Sequence, residues 1–298
     1  HLTRHIFSCY SSGNNFYFKY RIMKTNLYRS SWLAGLVAII TSLTVLIACD
    51  KDDINDGNPS NLVPDSDNGG LTLPNGFGAI TVSSQTGRAR HLAVNAKGDV
   101  FIKLSVLKNG NGILVLKDAN DDGRADSETG FANYTGTGIA IKNGYLYASS
   151  DEQIFRYKLT ANGDVENPNS PETIVTGLTV GNQHKSKSIT LDNQNNIYVN
   201  IGAPSNACQV QDRTPGSPGQ DPCPQLNTSG GIWRFSATQL NQTQAQGTRY
   251  ATGIRNVVGL DWNSSVNELY VMQHGRDQLA RLLEPRRRRR DQRTRHRT

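Results

Sequence analysis

The chain has 298 residues, enough for one or two domains with a sizeable buried core. Its 36% hydrophobic content, 28 glycines and 11 prolines predict many short elements and turns rather than long helices. The net charge of +7 comes from the ends, because residues 285–298 hold eight arginines and one aspartate whereas residues 32–284 carry 19 basic and 24 acidic residues. The composition therefore argues against nucleic acid as a partner.

Residues 23–48 have the pattern of a secretory signal peptide. Lys24 and Arg29 precede an apolar run at 32–47, which is short for a membrane span. The run ends in Leu46-Ile47-Ala48-Cys49, which resembles the lipobox of bacterial lipoproteins and implies a lipid on Cys49. An uncleaved signal anchor is the alternative. Acidic residues follow at once, as in surface-export signals, so we expect an envelope protein anchored to the outer membrane, periplasmic or surface-exposed.

Three further segments are expected to lie outside the folded part. Residues 1–22 precede the signal and are interpreted as a non-native upstream extension. Residues 49–72 are rich in Asp, Asn, Gly, Ser and Pro, which predicts a disordered tether. Residues 284–298 contain no hydrophobic side chain and cannot form a strand. A shifted reading frame or a mis-called gene end is the favoured explanation of this tail, and a genuine basic tail is the alternative.

Residues 73–283 repeat one pattern, an apolar strand, a polar turn and a second apolar strand. The pattern occurs at residues 92–102, 139–147, 189–199 and 259–271, and outer strands are predicted at 112–116, 153–157 and 231–235. A repeat of roughly 45–70 residues is typical of propeller blades, and radial repetition protects the edges of such short strands. The pattern predicts an all-β fold, a partial β-propeller of about four blades, with a β-sandwich as the alternative.

The four cysteines contain no Cys-x-x-Cys pair, so a zinc ribbon or thioredoxin-type site is not expected. Cys208 and Cys223 bracket a loop rich in Pro, Gly and Gln, which favours a disulfide in an exported protein over two free thiols. A second polar cluster, at Asp118, Asn120, Asp122 and Asp126 with Gly123, resembles a calcium loop. It has Thr129 where such loops have a bidentate glutamate, and a solvated Asx turn is the alternative.

Three motifs stand in a definite order in the second half of the chain. They are His184 before the strand pair at 189–202, Gly253-Ile254-Arg255-Asn256-Val257-Val258-Gly259-Leu260, and Gln273-His274-Gly275-Arg276-Asp277. This order resembles the glucose/sorbosone dehydrogenase family, whose members are pyrroloquinoline-quinone (PQQ) enzymes built on six-bladed propellers. The resemblance covers some 210 residues and implies oxidation of a sugar or polyol by hydride transfer to the quinone, with an electron acceptor as second partner.

The resemblance also implies roles for individual residues. His184 stands at the position of the general base, and histidine titrates in the range that such a base needs. Arg255 corresponds to the residue that stabilises the oxyanion at the quinone carbonyl, and Asn256 to one that helps to position this group. Gly275 and Arg276 correspond to residues whose backbone carbonyls hold the Ca²⁺ bound to PQQ. His274 is a weaker candidate, and both catalytic side chains are expected at a solvent-accessible blade top.

The chain departs from the family in two respects. Members often have an acid after the strand that ends at Gly202, but this chain has Ala203, which puts one hydrogen bond of the site in doubt. Later blades supply cationic and aromatic side chains around PQQ in the family, and no such blades follow Asp277 here, so the activity is expected to be incomplete in this chain. The alternative function is a non-catalytic cell-surface propeller that binds a glycan or a protein.

Overall fold

A computed structural model describes residues 5–12, 15–22 and 62–279. These residues are almost entirely strands and loops, with three short 3₁₀ helices at Asn68–Gly70, Pro224–Asn227 and Gln244–Gln246. No helix in the described ranges has the length and apolar character needed to cross a membrane. The predicted lipidation site at Cys49, the signal peptide and the arginine-rich tail lie outside the described residues.

The chain divides into two compact units, and the smaller one combines residues 1–85 with residues 118–125. Its described part contains an antiparallel hairpin of β1 (His5–Ser12) and β2 (Asn15–Ile22). Asp65 accepts hydrogen bonds from the backbone N–H and the hydroxyl of Thr81, at 2.9 and 2.6 Å, and forms an ion pair with Arg124. Polar contacts therefore fix residue 65, within the segment predicted as a tether, against other parts of this unit.

The described part of the larger unit contains four β-sheets in chain order. The first sheet consists of β3 (Ala89–Val94), β4 (Val100–Lys108), β5 (Asn111–Lys117) and β6 (Ser127–Phe131). The second consists of β7 (Ile139–Lys142), β8 (Tyr145–Ser149), β9 (Ile154–Lys158) and β10 (Glu172–Thr176), with β14 (Gln242–Thr243) at its outer edge. The third consists of β11 (Ile189–Leu191), β12 (Asn196–Ile201), β13 (Gly231–Ser236) and β15 (Thr248–Thr252), and the fourth of β16 (Val257–Asn263) and β17 (Glu268–Gln273).

Successive sheets pack face to face through apolar residues, most of them from their inner strands. Phe101 and Ile113 of the first sheet share a buried cluster with Leu146 of the second. The second and third sheets meet in a larger cluster, and the third and fourth sheets meet around Tyr198 and Trp262, whose rings stack with centroids 5.3 Å apart. Burial of these side chains contributes on the order of 2 kcal/mol each to the stability of the unit.

The innermost strands of the four sheets, β3, β7, β11 and β16, lie beside one another in chain order. This is the arrangement of propeller blades around an axis, and the four sheets do not close into a ring. The all-β prediction is confirmed, and the four predicted strand pairs are the inner pairs of the four sheets. The fourth sheet is a hairpin within the described residues, and it leaves Tyr270 and Met272 exposed.

Candidate functional site

His184 lies in the loop between β10 and β11, with a backbone φ of +53° that is uncommon for a residue other than glycine. Its Nδ1 is 2.6 Å from the carbonyl oxygen of Ala203. Because a carbonyl oxygen can only accept, Nδ1 carries the proton and the neutral ring keeps a free lone pair on Nε2. Partial burial, chiefly, lowers the pKa of His184 below its usual 6.5, so the ring stays neutral near physiological pH.

Members of the family often have an acidic residue at position 203, and the sequence therefore left one hydrogen bond of the site in doubt. In this chain the backbone carbonyl of Ala203 provides a hydrogen-bond acceptor at that position. This carbonyl binds His184, and the N–H of Ala203 donates to the carbonyl oxygen of Arg255 at 2.7 Å. Residue 203 therefore connects the two predicted catalytic residues through the main chain. The preceding residue must be small, since a Cβ on Gly202 would lie 2.6 Å from the Cβ of His184 and 2.9 Å from Oδ1 of Asn256.

Asn256 is held by a buried partner on β12. Its Oδ1 accepts a hydrogen bond of 3.0 Å from Nδ2 of Asn200, which has no exposed surface. Oδ1 of Asn200 in turn accepts from the backbone N–H of Val257 at 3.0 Å. Both ends of the buried amide are thus satisfied, and the interaction fixes the start of β16 against the third sheet.

The sequence predicts a solvent-accessible position for Arg255. In the structure only 9% of its side chain is exposed. Its Nη2 donates to Oδ2 of Asp277 at 2.7 Å, and its backbone N–H donates to Oε1 of Gln273 at 3.1 Å. Nε is buried and has no hydrogen-bond partner within the described residues. A buried unpaired donor costs about 1–3 kcal/mol, so the guanidinium keeps an unused capacity to bind an oxygen of a ligand.

Gly275 and Arg276 follow β17, beside the carboxylate that holds Arg255. Neither of their carbonyl oxygens accepts a hydrogen bond from another described residue, so both have lone pairs available for a cation. Calcium prefers such hard oxygen ligands. The two carbonyls, together with the guanidinium of Arg255 and its unpaired Nε, fit the PQQ and calcium that the resemblance implies, and the assignment stays a prediction.

The site residues line two cavities of the larger unit. A cavity of about 250 Å³ is lined by Arg255, Gln273, Arg276 and both cysteines of a disulfide. A second cavity of about 380 Å³ is lined by His184, Asn256 and many hydroxyl and charged side chains. These include Ser105, Thr135, Thr137, Ser186, Ser188, Arg90, Asp151 and Lys185. His184 and Asn256 therefore lie at a polar cavity lined mostly by the loops that precede β7 and β11 and by the start of β16. Convergent polar groups in a cavity are typical of ligand sites.

In the predicted calcium loop at Asp118, Asn120, Asp122 and Asp126, the hydrogen bonds accepted by the first three side chains come from within the loop. Asp118 accepts from the backbone N–H groups of Asp122 and Gly123, and Asn120 and Asp122 accept from the N–H groups two residues onward. Their oxygens thus close Asx turns, which favours the turn alternative. Within the described ranges, no three His, Cys, Asp or Glu side chains are grouped as a metal site.

Sequence reasoning missed several residues that support the site, namely Asn200, Asn206, Arg213 and Asp277. Asp277 was visible as the end of the His-Gly-Arg-Asp motif, but its pairing with Arg255 depends on the tertiary structure. Gln183 was visible beside His184, and its contacts with Asp212 and Arg213 likewise join residues about 30 positions apart. Sequence spacing offered no signal for these pairs.

A family model described as TrAA12-like matches residues 71–290. The holo pyranose dehydrogenase PQQ domain from Coprinopsis cinerea is similar in structure, with 18% identity, a TM-score of 0.56, and 69% of this chain and 48% of that chain covered. The Trichoderma reesei carbohydrate-active enzyme of family AA12, in its iodide structure, has 18% identity and a TM-score of 0.58, with 70% and 51% covered.

The calcium structure of the same Trichoderma reesei family AA12 protein gives a TM-score of 0.52 at 18% identity, with 64% of this chain and 47% of that chain covered. At these identities the likeness establishes the fold, and the predicted β-propeller is confirmed. The chain spans about half the length of these structures. No curated protein matches it.

Proposed function

Because the chain belongs to the TrAA12-like family, we propose that the protein oxidises a sugar or polyol as a quinoprotein, with PQQ and Ca²⁺ as its cofactors. This family fits the resemblance to the glucose/sorbosone dehydrogenases. The observation that carries the proposal is the tautomer of His184. Its Nδ1 donates a hydrogen bond to the carbonyl oxygen of Ala203, so the neutral ring has a lone pair on Nε2. A histidine in this state is a general base for a substrate hydroxyl.

The chain's own residues divide the work as follows. His184 would take the proton of the hydroxyl that is oxidised, and burial keeps the ring neutral for that step. Arg255 and Asn256 would bind the quinone oxygens, and the guanidinium would stabilise negative charge that develops there. The carbonyls of Gly275 and Arg276 would hold the calcium ion. When bound, PQQ would supply the acceptor for the two electrons and the hydrogen removed from the substrate carbon.

The cavity beside His184 supports a polyhydroxylated substrate. Five Ser and Thr residues line it, and their hydroxyls can both donate and accept hydrogen bonds. Arg90 adds a donor and Asp151 an acceptor. A pocket built to pair hydroxyls discriminates strongly against analogues that lack them. We therefore propose an aldose or a polyol as the substrate class.

The direct test measures dye reduction with an aldose panel, PQQ and Ca²⁺ in a version of the protein extended to the length of its structural relatives. Turnover that requires both PQQ and the sugar is the expected result. The chain of 298 residues by itself is expected to bind PQQ weakly or not at all, because the four sheets of its described part leave strand edges unpaired. Sugar binding without any PQQ-dependent turnover would instead favour the non-catalytic binding module.

We also propose that Cys49 carries a lipid that anchors the protein to the bacterial outer membrane. The support is the lipobox after a charged segment and an apolar run of signal-peptide length. Expressed in a bacterial host, the protein should lose its first 48 residues and sediment with membranes. Cys49→Ala should remain unprocessed and lose the lipid. Identical processing and fractionation of the two forms would contradict the proposal.

A further inference from the structure

The loop between β12 and β13, residues 202–230, is long and is closed on itself by a disulfide. The structure joins Cys208 and Cys223, which are 15 residues apart in the chain, with their Cα atoms separated by 6.2 Å. This segment, called the disulfide loop below, contains one short 3₁₀ helix and is otherwise without regular structure. Long ordered loops of this kind are usually functional. Two of its non-glycine residues, Cys208 and Arg213, have a positive φ.

One side chain of the disulfide loop holds the backbone next to the predicted calcium ligands. Asn206 is 2% exposed, and its Nδ2 donates to the carbonyl oxygen of Asp277 at 3.1 Å. Its Oδ1 accepts from the N–H of Asp277 at 2.9 Å. The amide of Asn206 thus pairs with both polar groups of one backbone residue. The segment that contains Gly275 and Arg276 is therefore attached to the disulfide loop.

A second side chain of the loop contacts both halves of the site. Nη2 of Arg213 donates to Oε1 of Gln183 at 2.7 Å and to Oδ2 of Asp277 at 2.9 Å. Gln183 directly precedes His184, and the same oxygen of Asp277 accepts from Arg255. Nε2 of Gln183 returns a bond of 2.7 Å to Asp212, also in the loop. One guanidinium therefore connects the His184 segment with the carboxylate that orients Arg255.

We propose that Arg213 is a positioning residue, which sets the placement of His184 relative to Arg255 from the disulfide loop. The inference rests on the roles proposed above for those two residues. A residue that only attached the loop would not affect the pKa of His184, whereas the charge of Arg213 does. The positive charges of Arg255 and Arg213 contribute to the lowered pKa of His184, after burial, while Asp277 opposes them. Arg90, Lys185 and Asp151 line the same cavity as His184.

The experiment uses this chain without cofactor, so its result does not depend on turnover. The pKa of His184 is measured by NMR on protein with ¹³C-labelled histidine, and His184→Gln identifies the signal. Amide exchange of Asp277 reports the placement of its segment. Arg213→Gln is compared with Arg213→Lys, which keeps the charge. Arg249→Gln is the matched control, because Arg249 packs on Trp233 and contacts neither half of the site.

Arg213→Gln should raise the pKa of His184, because a cation that disfavours the protonated ring is lost. It should also speed exchange of the Asp277 amide roughly 10-fold, the worth of one hydrogen bond to a charged group. Arg213→Lys should keep the wild-type pKa and restore part of the protection. The control should change neither quantity. An unchanged pKa and exchange rate in Arg213→Gln would overturn the proposal.

If Arg213→Gln does not fold, the Gln183→Ala variant tests the proposal instead. It removes the neutral hydrogen-bond acceptor of Arg213 and leaves every charge in place. It should speed exchange at Asp277, and an unchanged rate would again overturn the proposal. Failure of the proposed function gives a different result. In that case the extended wild-type protein shows no PQQ-dependent turnover, whatever the NMR measurements on Arg213 report.

Discussion

Replacing His184 with alanine is expected to lower PQQ-dependent sugar turnover by roughly 10²–10⁴-fold in the version extended to the length of the relatives, the usual worth of a positioned general base. The reason is geometric. The bond from Nδ1 to the Ala203 carbonyl fixes both the tautomer and the orientation of the ring, and alanine offers no proton acceptor. kcat should fall by more than KM changes, because the lost interaction acts in the transition state.

The pH dependence provides a second readout of the same variant. Because burial lowers the pKa of His184 from its usual 6.5, the acid limb of kcat/KM should appear below that pH. This limb should be missing from the residual rate of His184→Ala. Stability gives a third readout. As the pH falls below 6.5, the unfolded state takes up a proton before the folded state does, and the native state loses stability. His184→Ala should lose less stability over this interval.

His91→Gln serves as the matched control for this variant. His91 is another partly buried histidine, in β3, whose pKa is lowered by burial to about 4, and it lines neither cavity of the site. Turnover of the His91→Gln variant should stay within a few-fold of the wild type. Equal losses of turnover in the two variants would show that removing any histidine from this fold has the same effect. An unchanged rate in His184→Ala would contradict the role of His184 as general base.

Arg255→Ala is expected to reduce turnover by roughly 10²–10³-fold, the usual worth of a donor that stabilises an oxyanion. Arg255 is nearly buried, is oriented by Asp277, and has an Nε that no described residue pairs. These features leave a fixed donor for a charge that develops during the reaction. Arg255→Lys should recover little of the loss, because an ammonium lacks the planar fork of the guanidinium.

The burial of Arg255 requires a stability control that the sequence does not suggest. Removing the side chain leaves a gap beside Asp277, although that carboxylate keeps its bond to Arg213 and is half-exposed. We expect the variant to fold, and its unfolding midpoint in urea checks this. In the chain without cofactor, Arg255→Ala should also raise the pKa of His184, because a neighbouring cation is lost. Turnover within three-fold of the wild type would contradict the role.

Much of the fold could be predicted because alternation of apolar and polar residues is a local property of a strand. Four strand pairs and three outer strands appear where the pattern placed them. The outer strands β6, β10 and β15 were not predicted, because their exposed residues are mostly polar. These segments form strands by hydrogen bonding to the neighbouring strands of their sheets. β14 could not be predicted at all, since its two residues pair in parallel with β10, about 67 positions earlier in the chain.

The sequence by itself determined the identity and order of the chemical groups, His184, Arg255 with Asn256, and Gly275 with Arg276. Only the tertiary structure decided how they are held. It placed the Ala203 carbonyl where an acid was expected, left Arg255 nearly buried, and connected Arg213 with both Gln183 and Asp277. Backbone carbonyls are the same for every residue type, and contacts between distant positions form only when the sheets pack. Neither kind of interaction can be predicted from local sequence, so the contacts that hold the site residues are known only from the tertiary structure.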